Sequence, residues 1–180
     1  MANYDLHHRA AAVVRDSGGR LVGRTRLQKV AYLAQLAGFD QDFPFEYRHY
    51  GPYSEELADA MEIAVGFKLV NEEEKQSDWG GWYSIYKADE PDKIDMPETQ
   101  ARAEFISEAA GVGAIELELA ATAAFLYSTE GIGKDGQGDP WEETEKLKPE
   151  KAANGRLERA KQAYRELQQL ETPTPLPRIV

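Results

Sequence analysis

The segment from Ile115 to Tyr127 is the most apolar part of this sequence, and it constrains the fold more than any other feature. After Glu116 and Glu118 it consists almost entirely of leucine, alanine, phenylalanine and tyrosine. A membrane-spanning helix needs roughly 18 apolar residues, and this run is shorter. A helix that is apolar around its whole circumference is buried among other elements. The sequence therefore predicts a helical core to which the C-terminal half of the chain contributes.

The overall composition fits one intracellular domain. A chain of 180 residues can bury a sizeable core without a metal or disulfide. Cysteine is absent, which excludes disulfides, thiolate zinc sites and cysteine nucleophiles and suits a reducing cytoplasm. Residues 1–16 carry charges where a signal peptide would have an apolar stretch. We therefore expect a cytoplasmic protein without membrane association.

Apolar residues at helical spacing, together with capping residues, predict a series of helices. They are expected at 4–16, 25–37, 55–66, 97–110, 115–127, from 139 onwards, and at 149–170 with a candidate interruption at 154–155. Thr25 and Gln28 form a capping-box pair, in which each side chain satisfies an unpaired backbone N–H group. Ser54 and Asp139 are the expected N-caps of two later helices.

Two strand-like segments, Phe67 to Asn71 and Trp82 to Lys87, flank an acidic, glycine-containing stretch from Glu72 to Gly81. This arrangement is typical of a two-stranded hairpin with a long loop. Helices followed by a hairpin are the element order of a winged-helix module. The predicted class is therefore mainly α: a helical domain with a small two-stranded β-hairpin and a winged-helix-like N-terminal half.

Prolines and glycines divide the predicted domain internally. Residues 1–171 are expected to form a single, mostly helical domain. Within it, 89–98 contains two prolines and is the candidate linker, while 128–139 contains four glycines and is expected to be a mobile loop. Residues 172–180 carry three prolines and are expected to form a flexible tail.

An aromatic stretch between the second and third predicted helices is the unusual feature of this sequence. It reads as an extended segment that enters a turn at Gly51-Pro52. Tyrosine and histidine combine an apolar body with a polar tip, which suits contacts at partner surfaces. The candidate partner-binding residues are Tyr47, His49, Tyr50, Gly51, Pro52 and Tyr53. Alternatively, the same rings pack the predicted hairpin at 67–87 onto the helices.

No catalytic, cofactor-binding or metal-binding residues are predicted. The only histidines are His7, His8 and His49, and none lies in a nucleophile or zinc-ligand motif. The glycines at 131, 133 and 136 have the Gly-x-Gly-x-x-Gly spacing of a dinucleotide-binding motif. That motif requires a preceding strand, whereas here the preceding segment is a predicted buried helix. The acidic sets at 72–74 and 142–145 are typical of solvated faces. An enzyme that uses His49, Tyr50 and nearby carboxylates remains a third hypothesis.

The charge distribution disfavours nucleic acid as the partner. Acidic residues outnumber basic residues by 32 to 21, which gives a net charge of −11 and repels phosphate. Basic residues cluster before and within the second predicted helix, at Arg20, Arg24, Arg26 and Lys29. The third predicted helix, which would enter the major groove in a winged-helix protein, carries four carboxylates and no basic residue.

Two stretches of this sequence resemble a known family. They are Thr25-Arg-Leu-Gln-Lys-Val-Ala-Tyr-Leu33 and Tyr47-x-His-Tyr-Gly-Pro-Tyr-Ser54. Together they resemble the Panacea domain and the related YwgA-like bacterial proteins, which have a Leu-Gln-Lys helix followed by a Tyr-Gly-Pro-type turn. The later segments 117–126 and 147–149 are similar to the downstream helices of such proteins.

This resemblance implies a mostly helical prokaryotic or phage domain with a small hairpin. Panacea proteins are associated with antitoxins, which neutralise toxins by direct protein contact, whereas the YwgA-like branch supplies no activity to carry over. We therefore expect a protein-binding module, antitoxin-like in character, that catalyses no reaction. The alternative is a winged-helix transcriptional regulator that binds DNA.

The last predicted helix leaves the oligomeric state open. Leu157, Ala160, Tyr164 and Leu167 form a narrow apolar stripe along it. This stripe can dock on the protein's own core or on a second subunit, so a homodimer is compatible with the sequence.

Overall fold

The computed structural model describes residues 6–40, 43–89 and 97–179. Within these ranges the helices are α1 Leu6–Asp16, α2 Arg24–Leu36, α3 Glu55–Gly66, α4 Pro97–Gly111, α5 Ala114–Ser128, α6 Pro140–Leu147, α7 Pro149–Ala152 and α8 Arg156–Gln168. The strands are β1 Arg20–Val22, β2 Glu46–Arg48, β3 Gly51–Tyr53, β4 Asn71–Gln76 and β5 Trp82–Lys87. The protein is mainly helical with small antiparallel sheets, which confirms the predicted mainly α class. One three-stranded and one two-stranded sheet replace the single predicted hairpin, and the winged-helix-like arrangement stays a prediction.

Helix α5 lies at the centre of the core. Every residue from Leu117 to Leu126 is buried, because α2, α6, α8 and β3 all pack around it. This confirms the prediction that the most apolar segment is surrounded on all sides. The buried stretch also includes two polar side chains, Glu118 and Thr122, which lie beneath the β2–β3 hairpin region described below.

The larger sheet has the strand order β1-β5-β4, and both strand pairs are antiparallel. Strand β5 matches the prediction, but the prediction for its partner was wrong. The strand begins at Asn71 rather than Phe67, because the backbone N–H groups of Phe67 and Lys68 close α3 by donating to the carbonyls of Ile63 and Val65. Strand β4 is an exposed, charged edge strand, so it shows no apolar alternation in the sequence.

The β2–β3 hairpin corrects the expected position of the turn. Gly51 and Pro52 lie within β3, and the chain reverses at His49 and Tyr50. Pro52 stands opposite Tyr47 in this two-stranded sheet, a setting that tolerates a residue without an N–H donor.

Two of the three predicted N-terminal caps are present. Ser54 accepts a hydrogen bond from the N–H of Leu57 at the start of α3, and Asp139 accepts one from Trp141 at the start of α6. The Thr25–Gln28 capping box was wrong. Helix α2 follows Gly23 without a side-chain cap, because the Gln28 side chain is used in a contact with another part of the chain.

The C-terminal region follows the predicted interruption. Asn154 and Gly155 both have positive φ angles and separate α7 from α8. The side chains of Ala160, Tyr164 and Leu167 are buried, and α8 packs on α5. The apolar stripe of the last helix therefore docks on the protein's own core.

The final segment is also packed. Leu176 is buried, the hydroxyl of Tyr164 donates a hydrogen bond to the carbonyl of Pro177, and Thr174 donates a backbone hydrogen bond to Ala37. The predicted flexibility of residues 172–180 concerns motion and stays a prediction. Fraying of this segment would break the contacts of Leu176, Pro177 and Thr174.

The other predicted divisions of the chain concern a linker and a loop. Residues 90–96 of the predicted linker lie outside the described residues. In the predicted mobile loop, backbone hydrogen bonds join Gly133 to Gln137 and Ile132 to Leu126. The mobility of this loop stays a prediction.

No single helix in the described ranges is long and apolar enough to cross a membrane. The segments Thr99–Gly111 and Ala114–Ser128 reach that length and composition only as a pair, and the pair is bent by 118°.

Candidate functional site

The β2–β3 hairpin presents aromatic side chains at the surface while its second strand is buried. Tyr47 is 38% exposed and Tyr50 is 53% exposed. His49 is also exposed, and Tyr53 is half-buried. Gly51 and Pro52 are buried. The six predicted site residues therefore lie together in one hairpin. Four of them present aromatic rings at the surface, and the other two, Gly51 and Pro52, are buried beneath those rings.

Gln28 on α2 fixes the end of this hairpin. Its side-chain amide donates to the carbonyl of Ser54 over 2.9 Å, and its side-chain oxygen accepts from the N–H of Ser54 over 2.8 Å. Both partners are buried, so each bond satisfies a group that would otherwise be costly to bury. Gln28 therefore determines where β3 ends and α3 begins.

Lys29 supports the middle of β3. Its side chain is 1% exposed, and its ammonium group donates a 2.7 Å hydrogen bond to the carbonyl of Pro52. Burial lowers the pKa of Lys29 to about 8, with the positive charges of Lys148 and Lys151 acting in the same direction and Glu118 opposing them. A lysine in this position is a structural donor beneath the hairpin rather than a surface charge.

A second buried lysine supports the turn from the other side. Lys148, between α6 and α7, donates to the carbonyl of His49 over 3.2 Å and to Glu118 over 2.7 Å. Lys151 pairs with both oxygens of Glu118 at 2.8 Å and lies 4.7 Å from the ring centre of Tyr50. Glu118 therefore pairs with two lysines under the exposed turn, and buried pairs of this kind favour one arrangement of the chain.

The approach of Gly51 to α5 completes the support. Gly51 has a φ of +92°, and a Cβ atom built there would lie 2.6 Å from the hydroxyl oxygen of Thr122. Only glycine fits this backbone conformation and this spacing without strain. The Thr122 hydroxyl is buried and has no hydrogen-bond partner among the described residues.

A cleft of about 400 Å³ opens beside the hairpin. It lies between the start of α2, the turn, α3 and the β4–β5 strands, and its lining includes Lys29, His49, Tyr50, Tyr53 and Tyr86. The carboxylates of Glu55, Asp59 and Glu62 line the α3 side. One wall is thus aromatic and the other acidic.

Arg24 and Glu72 form the far wall of the cleft. The guanidinium of Arg24 pairs with Glu72 at 2.8 Å and also donates to the hydroxyl of Ser84 over 3.2 Å, while Ser84 donates to Glu72 over 2.7 Å. Burial would raise the pKa of Glu72, but hydrogen bonds from Ser84 and Arg24 outweigh it and lower that pKa. Glu72 was interpreted from the sequence as part of a solvated face; it is instead half-buried and paired.

The basic cluster noted in the sequence does not form one phosphate-binding face. Lys29 is buried, and Arg26 donates its guanidinium hydrogens to the carbonyls of Val22, Ala110 and Val112. Arg24 is paired with carboxylates, and Arg20 is exposed. Three of the four residues are thus used within the fold.

Sequence reasoning missed the polar support of the hairpin. The residues concerned are Gln28, Glu118, Thr122, Lys148 and Lys151. The available signal was a glutamate and a threonine within an otherwise apolar run, since such groups are buried only when a local partner or role requires it. Within the described residues, no group of three or more histidine, aspartate or glutamate side chains could hold a metal ion.

Comparison with known proteins gives a partial likeness. No family model matches the chain. The uncharacterised protein YwgA of Bacillus subtilis (strain 168) is 32% identical over 77 residues, which is 43% of this chain and 45% of that relative. The chain therefore matches less than half the length of this curated relative, whose name states no activity. This similarity supports the YwgA-like part of the resemblance seen in the sequence.

Proposed function

We propose that this protein is a protein-binding module and that the rings of the β2–β3 hairpin contact its partner. The contact residues are Tyr47, His49, Tyr50 and Tyr53. Gly51 and Pro52, which are buried, position those rings and do not touch the partner. The proposal assigns no catalytic role to the hairpin.

The observation that carries this proposal is the combination of exposed rings with a rigid, buried support. Lys29 and Lys148 donate to backbone carbonyls on the two sides of the turn, at Pro52 and His49. Hydrogen bonds from charged groups contribute about 1.5–3 kcal/mol each, so the backbone of the turn is well fixed. Rings that are ordered before binding lose little conformational entropy when they meet a partner.

We further propose an antitoxin-like role, in which the protein neutralises or regulates its partner by direct contact. The resemblance of the hairpin and α2 to Panacea and YwgA-like proteins supports this role. The net charge of −11 favours encounter with a basic protein over encounter with nucleic acid or another acidic protein.

Co-expression with the product of the adjacent gene tests the proposal. The two proteins should co-purify, and this protein should restore growth if the neighbour's product is toxic. Replacing either Tyr47 or Tyr50 by alanine should weaken the complex by about thirtyfold, since a central aromatic contact contributes about 2 kcal/mol, and replacing both should weaken it further. Failure to bind the products of the flanking genes would count against the proposal.

Phe67→Ala is the matched control for this experiment. Phe67 is 70% exposed and its ring stacks on His7 of α1, so it is not part of the hairpin. This variant loses a comparable exposed ring and should bind the partner normally. Equal weakening by Phe67→Ala and the tyrosine substitutions would mean that the hairpin has no special role.

DNA binding through a winged-helix module is the second candidate. Apart from the β2–β3 hairpin between α2 and α3, the element order α1, β1, α2, α3, β4, β5 and the strand order β1-β5-β4 favour that architecture. The charge of α3 opposes it, because this helix carries Glu55, Glu56, Asp59 and Glu62 and no basic residue. A gel-shift assay at low and high salt separates the two functions: DNA binding that weakens steeply with salt would favour the regulator.

A further inference from the structure

The tip of the β4–β5 hairpin exposes two tryptophans. Trp79 is 83% exposed and Trp82 is 68% exposed, whereas Trp141 in the core is 5% exposed. Tryptophan carries the largest apolar surface of any residue and is strongly enriched at binding hot spots. Two exposed indoles within four positions therefore mark this hairpin tip as a candidate contact surface.

The ring of Trp79 lies against the backbone of Gly81. A Cβ atom built at Gly81 would lie 2.0 Å from Cζ3 of the Trp79 ring, so the ring rests directly against the glycine backbone. The turn beneath it is closed by hydrogen bonds from the N–H and hydroxyl of Ser77 to the carbonyl of Gly81, at 2.7 and 2.9 Å. One face of the indole is therefore supported by the turn while most of the ring is open to solvent.

Trp82 borders a notch of about 320 Å³. The notch lies between Trp82, Tyr83, Glu74 and the start of α2 at 23–25. Ser84 stands opposite Glu74 in the sheet, and Trp82 is two residues from Ser84. Trp82 and Glu74 therefore project from the same face of the sheet. This notch combines an aromatic ring with a carboxylate.

Charge determines which occupant fits the notch. Arg24 is already paired with Glu72 at 2.8 Å and with Glu74 at 3.6 Å. The Glu74 side chain is 62% exposed, and Asp78 is exposed in the turn. Residues 71–87 contain four acidic and two basic side chains, so the hairpin is negative and repels phosphate and anionic lipid. Cations, by contrast, are attracted to the face of an indole ring.

We propose that the Trp82 notch and the exposed ring of Trp79 dock an arginine- or lysine-bearing segment of the partner protein. A basic side chain stacks on the indole of Trp82 and pairs with the exposed carboxylate of Glu74, replacing its 3.6 Å contact with Arg24. Trp79 packs against the neighbouring part of the same segment. This docking surface rests on the proposed function, because the segment belongs to the partner that the β2–β3 hairpin binds. Arg24 lines both the cleft and the notch, so the notch opens beside the cleft that His49, Tyr50 and Tyr53 line.

A second copy of this chain is a poorer occupant than a basic partner. Two copies would each bring a net charge of −11 and would repel one another at low salt. The α8 stripe that suggested self-association in the sequence packs on α5 of the same chain. The occupant of the hairpin tip is therefore a different protein rather than a second copy of this chain.

Titration of the full chain with a short arginine–glycine repeat peptide tests this docking surface, with tryptophan fluorescence as the readout. Trp82→Ala should weaken binding about threefold to tenfold, the range expected for loss of a cation–π contact. Trp82→Tyr should retain part of the affinity. The matched control Phe67→Ala keeps the net charge and loses an exposed ring elsewhere, so it should bind as the wild type does. Binding to Phe67→Ala and the alanine variant is compared by isothermal titration, which does not depend on the indole.

Charge variants test the other half of the docking surface. Glu74→Gln should weaken peptide binding and reduce its dependence on salt, whereas Glu145→Gln, which removes an exposed carboxylate from α6, should change both much less. Equal affinity of wild type and Trp82→Ala for the peptide would overturn the inference. Equal binding of a glutamate–glycine peptide, or Trp82-dependent binding of anionic vesicles or of a second copy, would overturn it as well.

The authentic partner separates this inference from the proposed function. If Tyr47 and Tyr50 are needed for partner binding and Trp82 is not, the hairpin-tip inference fails and the proposed function stands. If no flanking-gene product binds, the proposed function fails whatever the peptide result. If the complex is lost in the Tyr47 and Tyr50 variants and also in the Trp82 variant, the proposed function and the hairpin-tip inference are both supported.

Discussion

The ammonium nitrogen of Lys29 lies 2.7 Å from the carbonyl oxygen of Pro52, to which it donates a hydrogen bond across 23 positions of the chain. The neighbouring Gln28 holds Ser54 in the same manner. The two sequence stretches that carry the family resemblance are therefore halves of one structural unit: α2 supplies the donors, and β3 supplies the backbone they fix. The exposed rings of the hairpin depend on this unit for their position.

Lys29 should make stability depend on pH in a defined direction. Its pKa in the folded protein is about 8, below the ordinary value of 10.5. The unfolded chain therefore binds more protons between pH 8 and 10.5, and the free energy of unfolding rises with pH across that window. Urea unfolding measures this effect. The free energy of unfolding of the wild type should rise relative to that of Lys29→Met as the pH is raised from 8 to 10.5.

An exposed lysine provides the control for that measurement. The Lys146 side chain is 69% exposed, so Lys146→Met removes the same charge without removing a buried one. Its stability relative to wild type should change little over the same pH range. A flat difference for Lys29→Met as well would show that Lys29 is not desolvated in the folded protein.

Gly51→Ala should destabilise the fold more than an alanine at another strained glycine. Gly51 and Gly80 have nearly equal φ angles, +92° and +93°, but only at Gly51 does the added Cβ meet another atom, Thr122 Oγ1 at 2.6 Å. Gly80→Ala should cost about 1 kcal/mol from backbone strain, and Gly51→Ala at least about twice that, because overpacking adds to the strain. Thermal unfolding of both variants measures the difference.

A second substitution separates strain from collision at that position. Thr122→Ala in the Gly51→Ala background removes the oxygen that the new methyl group meets. It should recover the collision part of the loss and leave the strain part. If it recovers nothing, the close approach of Gly51 to α5 is not the source of the extra cost.

Two buried threonines should respond in opposite ways to valine. The hydroxyl of Thr122 has no partner among the described residues, whereas that of Thr144 donates to the carbonyl of Pro140 over 2.7 Å. Thr122→Val removes an unsatisfied buried hydroxyl and should be neutral or stabilising by up to about 1 kcal/mol, while Thr144→Val should lose about 1 kcal/mol. Both variants carry the same threonine-to-valine substitution, so their chemical unfolding tests this contrast directly. Equal losses would mean that Thr122 has a partner in solution.

The packing of the C-terminal segment predicts a measurable cost for Leu176→Ala. Leu176 is buried against the core, and truncation of a buried leucine costs about 2–5 kcal/mol. If residues 172–180 are frayed in solution, the loss should instead be within about 0.5 kcal/mol, as at an ordinary surface position. Glu171→Ala, at an exposed position in the same region, serves as the reference.

Local rules explain which elements could be predicted from the sequence. Helix α5, the caps at Ser54 and Asp139, and the break at Asn154 and Gly155 each follow from residues within one turn or one helix. Strand β1 spans three residues and β4 is almost entirely polar, so neither gives a periodic apolar signal. Both are strands because β5 lies between them and pairs with each, with β4 as the other arm of one hairpin and with β1 from a distant part of the chain.

The candidate site shows the same division. The exposed tyrosines could be singled out because aromatic residues beside glycine and proline stand out locally. Gln28 was interpreted as a cap for its own helix, whereas its actual partner, Ser54, lies 26 positions away. A side chain with several hydrogen-bonding groups has many local options, and only the packed structure selects among them.

The sequence by itself therefore determined the mainly helical class, the central helix α5 and the presence of an aromatic segment between α2 and α3, because periodicity and capping act over a few residues. The tertiary structure alone decided that Lys29, Lys148 and Glu118 lie together beneath that segment, and that Trp82 and Glu74 share a notch. Lys29, Glu118 and Lys148 are far apart in the chain and meet only through burial, while the placement of Trp82 beside Glu74 depends on strand register. Local sequence encodes neither.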